Sequence, residues 1–139
     1  MKPTILFVLS LSLLAFFACE DNDPIRNTTE TNGSTAIIPW EQCVFFADHD
    51  LTVCFVGAKE ERCPCNTNCL WEGSIKATFE VSNSTGLDTV INLETNSAPT
   101  GLHFFHSFGN KTLVFVNTEG IACEDYGDYD KYKVIMKVE

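Results

Sequence analysis

Apolar and polar residues alternate along several short segments of this chain, with the two-residue period that is typical of β-strands. The clearest segment covers residues 74–82. Its alternate apolar residues, which we expect to point inward, are Ile75, Ala77, Phe79 and Val81. The last segment, residues 132–138, repeats the pattern. Its expected inward residues are Tyr132, Val134, Met136 and Val138.

Weaker strand signals fill the rest of the chain after residue 35. The polar turn at residues 48–50 predicts a hairpin between runs 40–46 and 51–56, and further strands are predicted at 36–38, 89–95, 102–108 and 112–117. Phe105 falls on the expected outer face of the 102–108 strand, and His106 on its inner face. Seven or eight short strands without an amphipathic helix predict an all-β fold, an antiparallel β-sandwich. A small β-barrel is the alternative.

The first eighteen residues have the pattern of a signal peptide. Lys2 precedes an apolar run over residues 4–18, which is shorter than the roughly 20 residues of a spanning helix. The run ends at Phe16-Phe17-Ala18-Cys19, which resembles the lipobox of bacterial lipoproteins. This resemblance implies cleavage after Ala18 and lipidation of Cys19, so that acyl chains anchor the protein to a membrane. Ordinary secretion with cleavage elsewhere is the alternative.

Residues 19–35 are almost entirely polar, and they predict a disordered tether followed by one β domain over residues 36–139. The tether begins with Glu20-Asp21-Asn22-Asp23, which resembles the acidic tags of lipoproteins carried to the outer face of the outer membrane. We therefore expect display at the cell surface, with the periplasmic face as the alternative.

The charge of the chain excludes one class of partner. Nine Lys and Arg residues stand against 19 Asp and Glu, giving a formal net charge of −10, and no basic run occurs. Such a protein repels phosphate backbones, so nucleic acid is not an expected partner.

Seven cysteines in an exported chain indicate a disulfide framework. Lipidation of Cys19 leaves an even six, and three bridges among six cysteines allow fifteen pairings. The short spacing favours a bridge between Cys63 and Cys69, and we expect at least one of the others to reach Cys123. The remaining cysteines are Cys43, Cys54 and Cys65. A metal held by Cys63, Cys65 and Cys69 with His49 or His103 is disfavoured by the oxidising compartment.

The most distinctive motif of the chain lies between the strands predicted at 51–56 and 74–82. Its residues are Glu60, Glu61, Arg62, Cys63, Pro64, Cys69, Trp71 and Gly73. With its flanks at 51–81 and the closing segment 132–138, this motif resembles a family of small bacterial exported proteins and lipoproteins. The resemblance implies a β-sandwich, a single Cys63–Cys69 bridge and no established molecular function. This chain departs from the family by inserting Cys65 and adding Cys43, Cys54 and Cys123.

Three further sets of residues are candidates for chemistry. We expect Arg62 to pair with the neighbouring acids, and Trp71 to pack over the short disulfide, with a ligand platform as the alternative. Asp125, Asp128 and Asp130, together with Glu124, are candidate calcium ligands. Their spacing matches no standard loop, which favours a solvated acidic turn. Thr89 lies in Asp88-Thr89-Val90, which resembles an O-glycosylation acceptor of such bacteria.

These observations predict a lipid-anchored envelope protein that is not an enzyme, with no cofactor and with an unidentified protein or glycan partner. Ser107 and His106 are adjacent in a predicted strand, so their side chains point apart and form no catalytic pair. The alternative is a structural or protective envelope protein, such as an inhibitor of a foreign hydrolase.

Overall fold

The computed structural model describes residues 26–70, 73–95, 104–119 and 121–139. Within these ranges the regular structure is nine strands and three short 3₁₀ helices. The strands are β1 (Thr28–Thr31), β2 (Thr35–Pro39), β3 (Cys43–Phe46), β4 (Leu51–Glu60), β5 (Ile75–Ser82), β6 (Asp88–Glu94), β7 (Phe105–Phe108), β8 (Lys111–Thr118) and β9 (Lys133–Val138). The 3₁₀ helices are Ala47–His49, Cys123–Asp125 and Tyr129–Lys131. In this part of the chain no helix is long and apolar enough to cross a membrane.

The strands form two sheets that pack face to face. One has five strands in the order β1-β3-β4-β5-β6, and the other has four in the order β2-β9-β8-β7. Every neighbouring pair is antiparallel except β1 with β3. The predicted β-sandwich is therefore confirmed, and the barrel alternative is wrong because the two sheets do not close into one.

The core lies between the sheets and uses the residues that the alternation predicts. The inward side chains of β5 and those of residues 132–138 are all at most 1% exposed. Aromatic rings join the layers, since the Phe79 centroid lies 5.7 Å from that of Phe55 and 5.8 Å from that of Phe115. Burying each such side chain stabilises the fold by about 1.5–3 kcal/mol, so the core is the main source of stability.

The ordered body begins earlier than residue 36, which corrects the predicted tether. Strand β1 pairs in parallel with β3, and Arg26 forms an ion pair with Glu80 of β5. The composition gave no sign of this strand, because Thr28, Thr29 and Glu30 are exposed and are held by backbone hydrogen bonds. This strand raises the number above the seven or eight expected. Cys19 and the signal peptide lie outside the described residues.

Residues 40–46 do not form one strand as predicted. Pro39 ends β2, Glu41 has a positive φ of 56°, and β3 begins only at Cys43. The Trp40 ring instead stacks on Tyr129 at 5.2 Å and meets the edge of Phe55 at 5.1 Å. Trp40 therefore packs against the rings of Phe55 and Tyr129 instead of extending a strand.

The strand predicted at 102–108 is shorter in the structure, and part of it lies outside the described residues. Phe105 is 42% exposed, as expected, while the predicted inward residue His106 is exposed. The His106 ring lies 4.6 Å from that of Phe108. Three of the four residues of β7 are exposed, so the core covers little of this short strand, which within the described residues pairs with β8 at the edge of its sheet.

Candidate functional site

Glu60, the last residue of β4, accepts hydrogen bonds from Arg62, two residues further along the chain, and from Tyr132, which precedes β9 of the other sheet. Arg62 Nε donates to its Oε1 at 2.7 Å and Arg62 Nη2 to its Oε2 at 2.5 Å, while the Arg62 backbone N–H donates to Oε1 at 3.0 Å. The hydroxyl of Tyr132, the residue before β9, donates to Oε2 at 2.5 Å. Glu60 thus links the end of β4 in one sheet to the residue before β9, an inner strand of the other.

Glu60, Arg62 and Tyr132 form a cluster, and their mutual hydrogen bonds and burial set the protonation state of each group. Partial burial opposes ionisation of Glu60, but hydrogen bonds from Arg62 and Tyr132 outweigh it and lower the pKa of the carboxyl. Burial, together with the hydrogen bond to Glu60, raises the pKa of Tyr132 to about 12. The hydrogen bond to Glu60 also raises the pKa of Arg62. At neutral pH the cluster therefore contains a carboxylate, a guanidinium and a protonated phenol.

Arg62 also contacts the loop of residues 121–132, which we call the acidic loop. Its guanidinium carbon lies 4.1 Å from the centroid of the Tyr126 ring, a cation–π geometry. The backbone N–H of Gly127 donates to the Tyr132 hydroxyl at 3.0 Å. A disulfide between Cys65 and Cys123 joins the acidic loop covalently to residues 61–70, which we call the cysteine loop. These contacts therefore hold the two loops together at this end of the sandwich, which we call the braced end.

Gly73 fits where no other residue does. Its φ is +73°, and an added Cβ would lie 2.1 Å from the Glu61 carbonyl oxygen and 2.7 Å from the Arg62 Cα. The Glu61 backbone N–H donates to the Ser74 carbonyl at 2.9 Å, which holds the two chain segments together. This close approach explains the glycine of the motif as a requirement of the backbone.

The neighbouring acids Glu60 and Glu61 point to opposite sides of the chain and make different contacts. Glu60 faces the cluster, whereas the Glu61 carboxylate lies 2.7 Å from Lys59 Nζ and 2.9 Å from Lys76 Nζ on the exposed surface. The local pairing expected for Arg62 is therefore observed with Glu60. Trp71 lies outside the described residues.

A cavity of about 770 Å³ opens beside Arg62 and Tyr126. Among the described residues, its walls also include Thr95 after β6, Phe104 before β7, and Val116 and Asn117 of β8. The pairing of β8 with β9 is irregular between Phe115 and Asn117, and Val116 is 52% exposed. This volume falls within the roughly 300–1,000 Å³ of small-ligand sites. The cavity combines a cation and polar side chains with apolar surface.

The three disulfides account for all six cysteines that follow Cys19. The structure pairs Cys63 with Cys69, Cys65 with Cys123, and Cys43 with Cys54. These are the short bridge that the spacing favours, a long bridge to Cys123, and a bridge across the β3–β4 hairpin. The cysteine metal site is wrong, because its three sulfurs are bonded to other sulfurs.

The acidic loop carries a lysine at the place considered for calcium. Lys131 Nζ lies 2.5 Å from Asp125 Oδ1 and 3.1 Å from Asp128 Oδ2. Over the described ranges no group of three His, Cys, Asp or Glu residues is arranged to hold a metal ion. The candidate set of Asp125, Asp128 and Asp130 is therefore not gathered around a shared point.

The glycosylation candidate Thr89 lies in strand β6. Thr89 pairs with the inward residue Val81 in the β5–β6 ladder, and its side chain is half-buried. Its neighbours Asp88 and Val90 are the exposed residues of this segment. Thr89 therefore faces the core side of the strand, which is unfavourable for attachment of a glycan.

Sequence reasoning missed the residues that complete the cavity. The sequence gives no sign that Tyr126, Phe104, Val116 and Asn117 lie beside the motif, since no spacing in the chain relates them to it. Comparison with protein-family models, with curated proteins and with solved structures finds no match to this chain. The class of protein defined by the described residues is thus a disulfide-braced β-sandwich with a cavity at its braced end.

Proposed function

We propose that the protein is a lipid-anchored component of the cell envelope that binds a ligand in the cavity beside Arg62 without transforming it. The observation that supports binding is the cavity itself. The Glu60–Arg62 pair and the Cys65–Cys123 bridge fix its wall. A rigid wall favours binding, because little conformational entropy is lost when the ligand docks.

The protonation of the cluster supports binding over catalysis. A general acid or base works best with a pKa near the operating pH. The pKa of Glu60 is instead lowered and that of Tyr132 is raised to about 12, so neither group exchanges a proton readily near neutrality. The cysteines of the braced end are bonded in disulfides and are not available as nucleophiles.

The anchor is proposed from the leader and from Cys19. The signal-peptide pattern and the lipobox-like ending support lipidation, and the acidic residues 20–23 support display on the outer face of the outer membrane, with the periplasmic face as the alternative. Mass spectrometry of protein purified from its native host is expected to find an acylated N-terminal Cys19. A mature form without acyl groups would rule out the anchor.

The binding function is tested with the full mature protein on intact cells. We expect wild type to capture an envelope component that Val116→Trp fails to capture, because the larger side chain fills the cavity. Val90→Trp is the matched control, since Val90 is 60% exposed on the outer face of the other sheet. Equal capture by wild type and both variants would contradict ligand binding in the cavity.

A second candidate function, inhibition of a foreign hydrolase, is favoured by the shape of the cysteine loop. Leu70 is 98% exposed next to Cys69, and the loop is held by two disulfides. A rigid, exposed segment of this kind can enter a protease cleft. Inhibition of a leucine-preferring serine protease that disappears in Leu70→Asp would support this function, and no inhibition by wild type would eliminate it.

A further inference from the structure

We infer that the cavity beside Arg62 takes a neutral, hydroxyl-rich ligand of the saccharide class. This inference rests on the proposed binding function and specifies the chemistry of its ligand. Three properties of the described residues carry it: the orientation of the Arg62 donors, the charge balance of the site, and the mixture of polar and apolar surface.

Arg62 is oriented before any ligand arrives. Its Nε and Nη2 atoms donate to Glu60, and its guanidinium carbon lies over the Tyr126 ring, 4.1 Å from the ring centroid. The side chain is 20% exposed and lines the cavity. These contacts leave Nη1 as the nitrogen that Glu60 does not engage. A guanidinium held by a carboxylate on one edge and by an aromatic ring offers fixed donors to ligand oxygens.

The charges of the site favour a neutral ligand over an anion. The Glu60 carboxylate, itself 10% exposed, neutralises Arg62 at hydrogen-bond distance. The whole chain has a formal net charge of −10, so an approaching anion meets overall repulsion. An anionic ligand would also have to compete with Glu60 for the same guanidinium. Neutral oxygen acceptors, such as hydroxyl groups, avoid both costs.

The other walls match the two kinds of surface that a sugar ring presents. Asn117 Oδ1 accepts the Thr118 backbone N–H at 2.8 Å, which leaves the Asn117 amide group as a donor. Phe104 and Val116 supply apolar surface beside these donors. A saccharide carries hydroxyl groups around its rim and C–H groups on its faces, so it can satisfy the donors and cover the apolar side chains together.

Nuclear magnetic resonance of the full mature protein tests this inference. We would titrate isotopically labelled protein with four neutral trisaccharides, maltotriose, cellotriose, mannotriose and xylotriose, and with the anionic trigalacturonate. At least one neutral probe is expected to shift the Arg62 Nε–H and Asn117 amide signals with saturation below about 10 mM, while trigalacturonate leaves them unchanged. Val116→Trp should weaken this binding at least about tenfold, and Val90→Trp should change it less than about twofold.

Three results would overturn the inference. Shifts caused by trigalacturonate alone would show that the cavity binds an anion, so that the ligand class is wrong while the binding function stands. No shift with any probe at about 10 mM would also reject a neutral saccharide. The capture experiment on intact cells then decides separately whether the cavity binds another envelope component. A neutral probe that binds Val116→Trp as tightly as wild type would place its site elsewhere.

Discussion

The Tyr132 hydroxyl lies 2.5 Å from Oε2 of Glu60, and this hydrogen bond joins the end of β4 in one sheet to the start of β9 in the other. Tyr132 is fully buried, and its hydroxyl also accepts the Gly127 N–H. One side chain therefore connects both sheets and the acidic loop. The braced end of the sandwich depends on this contact.

Removing the Tyr132 hydroxyl should destabilise the protein. Tyr132→Phe keeps the ring but leaves Glu60 with one donor fewer and Gly127 N–H without its acceptor, so we expect a loss of about 1–3 kcal/mol in the free energy of unfolding, measured in urea. Tyr129→Phe is the control, because its ring packs on Trp40 and its hydroxyl has no hydrogen bond within the described residues. Equal stability of Tyr132→Phe and wild type would refute the structural role of this hydroxyl.

The ionised state of Glu60 predicts a pH dependence. Because the pKa of Glu60 is lower in the folded than in the unfolded protein, its charge stabilises the fold above the unfolded pKa of about 4.3, and this contribution is lost as the pH falls through the folded pKa. Glu60→Gln should therefore be less stable than wild type at pH 7, and the difference should shrink in acid. Urea unfolding from pH 7 to pH 3 measures it. A difference that stays constant over this range would contradict the prediction.

Gly73 should tolerate no side chain. Gly73→Ala places a Cβ 2.1 Å from the Glu61 carbonyl oxygen at a positive φ, so the backbone must move, and we expect a loss above about 2 kcal/mol in the free energy of unfolding. Gly86→Ala is the matched control: its φ is +96°, but its Cβ would meet nothing within 4 Å. Gly86→Ala should therefore cost only about 1 kcal/mol. Equal losses would show that the close approach at Gly73 is not important.

The disulfides should differ in their resistance to reduction. Cys43 and Cys54 are 4% and 9% exposed, whereas the cysteines of the other two bridges are more exposed. Under mild reductant, alkylation followed by mass spectrometry is expected to label the Cys63–Cys69 and Cys65–Cys123 pairs before Cys43 and Cys54. Earlier labelling of Cys43 and Cys54 would disprove this order.

Loop length also predicts which of the accessible bridges matters more for stability. Cys65 and Cys123 are 58 residues apart, whereas Cys63 and Cys69 are six apart. The loop-entropy model assigns about 4 kcal/mol to the long bridge and about 2.4 kcal/mol to the short one. Replacing Cys65 and Cys123 by Ala should therefore lower the urea midpoint more than replacing Cys63 and Cys69. The reverse ranking would contradict the entropic account.

Much of the fold could be predicted from local pattern. The alternation in residues 74–82 and 132–138 identified buried faces correctly, because one covered face of a sheet requires every second residue to be apolar. Strand β1 could not be found in this way. It buries none of Thr28, Thr29 and Glu30, and it is held by a ladder with β3 that a composition analysis does not register.

The candidate site could be predicted only in part. The motif indicated a constrained corner, the pairing of Arg62 with a neighbouring acid, and the short disulfide. The partners of that corner come from residues far along the chain, since Tyr126, Tyr132 and Cys123 lie about sixty to seventy residues after Glu60 and Cys65. Nothing local in the sequence of the acidic loop indicates what it contacts.

The sequence by itself determined the all-β class, the buried faces of the two clearest strands and the number of bridges, because backbone periodicity and cysteine parity are local or countable properties. Only the tertiary structure decided how the four cysteines other than Cys63 and Cys69 pair, which distant side chain joins Arg62 in binding Glu60, and where a cavity opens. Those outcomes depend on how the two sheets stack and bring remote segments together, and the stacking is set by packing of the whole core.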